Sequence, residues 1–143
     1  MKIQRIRDVK LPTRGTKGSA GIDFYIPEDF QPIILAKGDF VLIPSGIRAR
    51  VPEGYALIMD NKSGVATKMG LIVGADVIDS DYDGEIHLHL IKATHGTVRL
   101  EPGMKIVQGL LTPISHEDVE EVDQLPEIET ERGTGGFGST GSY

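Results

Sequence analysis

Cysteine is absent from the 143-residue chain. Its absence excludes disulfides, thiolate metal sites and a cysteine nucleophile. Long apolar runs are also missing. No stretch approaches the ~18 residues of a membrane span, and residues 1–9 are charged and alternating rather than signal-like. No membrane partner is expected, and the expected compartment is the cytoplasm, or the host cytoplasm if the source is viral. An excess of positive charge is lacking as well, since the formal net charge is −6. Duplex-binding proteins normally carry a basic face, so no nucleic-acid partner is expected. A free nucleotide is not, because a few local cations and backbone amides can hold phosphates on an acidic protein.

Helical periodicity is scarce, and turn formers are abundant. Eighteen glycines and eight prolines punctuate the chain, which favours short strands and many turns. Strand character recurs at residues 2–6, 33–35, 40–43, 47–51, 55–60, 71–73, 85–92, 97–100, 105–112 and 120–123. The clearest alternation is at 85–92, where Ile86, Leu88 and Leu90 point one way and His87, His89 and Ile91 the other. A short helix fits around 63–69, bracketed by Gly64 and Gly70. The predicted class is all-β: a distorted jelly-roll or β-clip-like barrel of short strands with at most one short helix. Residues 1–131 form the β-domain. Residues 132–143 form a flexible glycine-rich arm, because glycine loses the most entropy on ordering.

That arm carries a false lead. Gly133-Thr134-Gly135-Gly136-Phe137-Gly138 fits G-x-G-x-x-G, but neither the preceding strand nor the following helix of a dinucleotide fold has room here. The arm still offers phosphate chemistry. Its glycines let amides approach an anion, Ser139 and Thr140 add hydroxyl donors, Arg132 adds a planar fork, and Phe137 can lie over a flat ring.

Arg132-Gly-Thr-Gly-Gly-Phe-Gly-Ser-Thr-Gly141 resembles the fifth motif of the dUTPase family. Four more motifs precede it in the family's order: Ala20-Gly21-Ile22-Asp23-Phe24, Lys62-Ser63-Gly64-Val65-Ala66-Thr67-Lys68-Met69-Gly70, Val77-Ile78-Asp79-Ser80-Asp81-Tyr82-Asp83-Gly84-Glu85, and Gly103-Met104-Lys105-Ile106-Val107-Gln108. Together they span nearly the whole chain. The resemblance implies hydrolysis of dUTP to dUMP and pyrophosphate, Mg²⁺ as cofactor, and a homotrimer with active sites shared between subunits. In phage-encoded members it extends to regulatory protein partners.

The resemblance also assigns roles. Asp79 is the general base, holding the water that attacks the α-phosphorus, a role that suits a carboxylate ionised at pH 7. Taken alone, Asp79-Ser80-Asp81 is ordinary turn chemistry. Tyr82 packs under the sugar and excludes a ribose 2′-OH. Uracil is read by the backbone of a hairpin from Val73 through Ala75, Asp76 and Val77 to Ile78, opposite His87. Lys62, Ser63, Gly64 and Gln108 hold the phosphates. Arg132, Gly136, Phe137, Gly138, Ser139 and Thr140 close over the nucleotide from a neighbouring subunit. Asp23 supports Mg²⁺ through water.

Three positions depart from the family pattern. Lys62 and Lys105 stand where arginine is usual and lose the bidentate fork. Asp76 stands where glycine is usual. Aspartate tolerates left-handed backbone better than most residues, so the turn can be kept; alternatively its carboxylate meets uracil N3–H or raises the pKa of Asp79, and the sequence leaves these open. The rival enzyme is dCTP deaminase, but Ser63-Gly64, Asp79 with Tyr82, and the complete arm favour dUTP hydrolysis. A binding protein without catalysis is the rival from another class.

Overall fold

The computed structural model of the chain describes residues 1–130 and 133–135. Among the described residues ten strands form, in order: β1 (Lys2–Arg5), β2 (Ile22–Tyr25), β3 (Ile33–Ala36), β4 (Phe40–Arg50), β5 (Tyr55–Asn61), β6 (Leu71–Val73), β7 (Val77–Ile78), β8 (Glu85–Lys92), β9 (Thr97–Leu100) and β10 (Lys105–Pro113). All pairs are antiparallel. One sheet runs β1-β4-β8-β6, a second β2-β10-β5-β7, and β3-β9 makes a ribbon.

The alternation in β8 sets the layering. Ile86, Leu88 and Leu90 are buried as expected. They meet Ile43, Ile47 and Ala49 of β4 in a core shared with Phe24 of β2, Leu57 and Met59 of β5, and Val107 of β10. The inward faces of both sheets therefore close one jelly-roll-like sandwich. Among the described residues no helix is long and apolar enough to cross a membrane.

The strands expected at 40–43 and 47–51 are one strand. Register shifts between Pro44 and Arg48 where β4 faces β8. Proline supplies no donor there, and Gly46 sits at φ +74°, so the ladder bulges rather than breaks. The Gly46 N–H is met by Glu85 Oε1 at 2.8 Å. The expected helix is a π-helical turn, Val65–Met69, closed by Gly70 in the left-handed region at φ 64°. The expected strand at 120–123 does not form, and its side chains lie exposed.

Two strands were unforeseen. In β2, buried Asp23 interrupts the apolar pattern, and β7 is only two residues long. The segment between Val73 and Val77 is not a self-paired hairpin. It crosses between layers, because β6 pairs with β8 while β7 pairs with β5.

Candidate active site

Two clefts collect most of the expected residues. The first, of ≈ 350 Å³, is lined by Lys62, Ser63, Gly64, Val65, Lys105 and Gln108. Lys62 follows β5, Ser63 and Gly64 open the π-helical turn, and Lys105 and Gln108 come from β10. Asp23 on the adjoining β2 is buried, and its carboxylate holds both lysines. Lys62 Nζ donates to Oδ1, and Lys105 Nζ lies 3.4 Å from Oδ2. Two cations against one buried carboxylate leave a positive excess facing the cleft, as a phosphate site requires.

Gly21 sets the position of Gln108. A Cβ on Gly21 would fall 2.8 Å from Gln108 Cδ and 2.9 Å from its Cβ. With that space empty, Gln108 Nε2 reaches the Asn61 carbonyl at 2.7 Å. Asn61 Oδ1 in turn accepts the Val73 N–H at 2.8 Å, so one residue ties the first cleft to β6. Gly64 differs from Gly21: its φ is −66°, and an added Cβ would meet nothing within 4 Å. No described part of the chain requires glycine there.

The second cleft, of ≈ 210 Å³, is lined by Leu42, Ala75, Val77, Ile78, Asp79, Tyr82 and His87. Asp79 lies exposed at the start of a turn whose Tyr82 N–H donates to the Asp79 carbonyl at 3.3 Å. Tyr82 folds back, and its hydroxyl donates to the Glu85 carbonyl at 2.8 Å. Gly84 makes this approach possible, since a Cβ there would sit 2.5 Å from Tyr82 Cζ. His87 Nδ1 lies 2.9 Å from the same Glu85 carbonyl. Behind them, Glu85 receives Arg7 Nε at 2.9 Å. Burial alone pushes the Glu85 carboxyl up. The bonds from Arg7 and the Gly46 N–H and the charges of Arg7 and His87 outweigh it, and its pKa falls below the ordinary value.

Asp76 does not line either cleft. Its carbonyl accepts the Met59 N–H at 2.6 Å, so its fold role is a backbone one. Arg132, Gly136, Phe137, Gly138, Ser139 and Thr140 lie outside the described residues. Leu42, Val65 and Lys105 line the clefts without having been singled out for binding. Alternation could have placed Leu42 outward, but nothing in an isolated leucine signals a ligand. Among the described residues, no group of three or more His, Asp or Glu side chains could hold a metal ion.

Fold and clefts together define a jelly-roll-like β protein built to handle a phosphorylated ligand. No described residue lines both the cationic cleft and the acid–aromatic one. A model of the dUTPase family matches residues 7–141, and the chain belongs to that family. The deoxyuridine 5′-triphosphate nucleotidohydrolase of Dictyoglomus turgidum is 43% identical over 97% of this chain and 96% of its own. That of Chlamydia pneumoniae is 43% identical over 93% and 92%. Among solved structures, a mutant dUTPase of Staphylococcus bacteriophage 80alpha with dUpNHpp matches at TM-score 0.88 and 23% identity, over 98% of this chain and 97% of that one. A mutant dUTPase of phage phi11, described with a structural Mg(II) ion, matches at TM-score 0.77 and 21% identity, over 86% and 96%. These two structures support the fold.

Proposed function

We infer that the chain hydrolyses dUTP to dUMP and pyrophosphate by attack of water on the α-phosphorus. Besides family membership, one observation carries the reading: Asp79, Tyr82 and His87 share a cleft with Ala75, Val77 and Ile78. Asp79 takes a proton from the attacking water, a contribution worth roughly 10²–10⁴ in rate. The Tyr82 ring, held by its bond to Glu85, fills the space a 2′-hydroxyl would need. Backbone groups of the 75–78 segment read the base. A buried donor facing the wrong partner is costly, which is how such a pocket rejects cytosine.

Lys62, Ser63, Gly64, Lys105 and Gln108 grip the triphosphate. The arm of residues 132–143, with Arg132, Phe137, Ser139 and Thr140, closes over it and excludes water. Mg²⁺ suits this donor set as an ion held mainly by substrate phosphates and water, because the described residues form no protein cage for it. Such an ion would supply charge neutralisation for the leaving pyrophosphate. Both Asp23 oxygens are engaged by lysines, and Asp23 would support such an ion through water.

The working assembly is a homotrimer. The outer face of the β4-β8-β6 sheet exposes Phe40, Leu42 and Ile72 at 69%, 54% and 39%, an apolar surface that a second copy would cover. Leu42 also lines the Asp79 cleft, so covering this face brings another copy beside that cleft. The test is pyrophosphate release with Mg²⁺ from dUTP, dCTP, dTTP and UTP in parallel, repeated with Asp79→Asn. Release from dUTP alone, lost in the variant, is expected. Ammonia from dCTP, or no turnover by folded protein, would overturn the reading.

A further inference from the structure

The segment joining β6 to β7 is held by one side chain that the motifs do not include. The Ala75 N–H donates to His89 Nδ1 at 2.8 Å. The neighbouring Gly74 N–H donates to the His89 carbonyl at 3.0 Å. A Cβ on Gly74 would sit 2.5 Å from His89 Cε1 and closer still to Nδ1, so the ring occupies the space a Gly74 side chain would need. On its other side the ring meets Phe40 edge-on, with centroids 5.8 Å apart at 83°. Ring position is thus set by contacts other than the Ala75 bond.

A backbone N–H can be accepted at Nδ1 only when that nitrogen carries no proton. His89 in this arrangement is therefore neutral, with its hydrogen on Nε2. The bond also decides what the segment offers a base. Gly74 N–H, Ala75 N–H and the Asp76 carbonyl are all committed within the chain. Among the described residues, the Ala75 carbonyl and the Asp76 N–H have no partner, leaving one acceptor and one donor. Ala75 lines the Asp79 cleft. If His89 released it, the Ala75 N–H would become a second free donor there. Cytosine carries an unprotonated acceptor at N3 where uracil carries N–H, so an added donor favours the wrong base.

We propose that His89 is a positioning residue for base specificity, sequestering the Ala75 N–H through Nδ1 and fixing the path of the segment beside the base. The proposal rests on the reading that this segment faces uracil. It predicts that His89→Leu, which keeps apolar bulk and removes the acceptor, raises KM for dUTP and lowers the dUTP-over-dCTP ratio of kcat/KM roughly 3- to 10-fold, the worth of one neutral hydrogen bond. The kcat with dUTP should change less than twofold. His89→Asn should restore the ratio, because its Oδ1 falls where Nδ1 was and accepts the same N–H.

The experiment measures both substrates on the full-length wild type, His89→Leu and His89→Asn, with sizing and melting checks on each. An unchanged ratio in His89→Leu, or no rescue by His89→Asn, overturns the proposal. The ¹⁵N shifts of the wild-type imidazole give a second decision that needs no variant: unprotonated Nδ1 supports it, and Nδ1–H overturns it. A wild type that fails to prefer dUTP would instead overturn the functional reading, while the nitrogen shifts would still judge the His89–Ala75 bond.

Discussion

Gly21→Ala tests how the first cleft is built. The added methyl carbon would lie 2.8 Å from Gln108 Cδ and 2.9 Å from Gln108 Cβ. Real carbon pairs do not approach so closely, so something must move. Cδ is in the flexible part of the side chain and can swing away, but Cβ is anchored to β10, so the backbone at residue 21 or in β10 must shift as well. The Gln108 bond to the Asn61 carbonyl, 2.7 Å long, is then lost. One neutral hydrogen bond contributes about 0.5–1.5 kcal/mol, and an off-rotamer side chain costs about as much. The sum is a destabilisation of about 1–3 kcal/mol, or about 3–9 °C in melting temperature for a domain near this size. Gln108 also leaves the phosphate cleft, and KM for dUTP should rise roughly tenfold, the effect of one hydrogen bond to a charged group. Scanning calorimetry and initial rates measure the two effects. A double variant adds a stricter check. Gln108→Ala removes Cδ from the collision, so Gly21→Ala should cost about 1 kcal/mol less in that background. An unchanged melting temperature in Gly21→Ala, or strict additivity with Gln108→Ala, would refute the reasoning.

Three further outcomes are expected. Asp79→Asn should melt like the wild type, because Asp79 is exposed, yet lose roughly 10²–10⁴ in kcat by pyrophosphate release. Lys62→Ala should destabilise by roughly 1–3 kcal/mol in urea titration, less than loss of a fully buried pair, because Lys105 still lies 3.4 Å from the buried Asp23 carboxylate. Glu85→Gln should flatten the acid limb of stability. The folded carboxyl titrates below its ordinary value of 4.5, so its contribution is complete above that value and disappears as pH falls through the lowered one. Wild-type urea midpoints should therefore drop more steeply than those of the variant as pH falls below the ordinary value of 4.5.

Where periodicity and packing agree, the sequence was readable. β8 is an example, since Ile86, Leu88 and Leu90 alternate and all three lie in the core. Where a polar group goes inward, it was not. Lys92 ends the same strand on the same face and is only 2% exposed. Its ammonium turns to Thr94 Oγ1 at 2.6 Å and to the Thr94 and His95 carbonyls at 2.8 and 3.3 Å. Those acceptors exist only once the following turn has formed, and no window of hydropathy contains them. Asp23 hid β2 for the same reason, because its carboxylate is met by Lys105 of β10 and by Lys62 just past β5. The cleft residues were legible as chemistry but not as geometry. Motif order named Asp79, Tyr82 and Ser63, yet only the fold shows that Gly21 and Gly84 are spaces kept for Gln108 and Tyr82. His89 escaped notice because a histidine on an outward strand face ordinarily signals solvent. Its role comes from a backbone N–H fourteen residues earlier in the chain.

The separation of the two clefts leads to a test of the shared site. The cationic cleft and the Asp79 cleft have no described residue in common, although the proposed function has one nucleotide meet both. In a trimer with cyclic symmetry, the Asp79 cleft of one copy can face the cationic cleft of the next. Two inactive variants should then complement each other: Asp79→Asn, with an intact cationic cleft, and Lys62→Ala/Ser63→Ala, with an intact Asp79. Random mixing at equal amounts after unfolding and refolding together gives each site an intact half from both neighbours in roughly a quarter of cases. Pyrophosphate release should recover to that fraction of wild type and follow the product of the two input fractions as the ratio is varied. If both clefts of a single chain served one nucleotide, every site in the mixture would retain one defect and no activity would return. Recovery that appears without mixing-dependent assembly on a sizing column would count equally against a site built between copies.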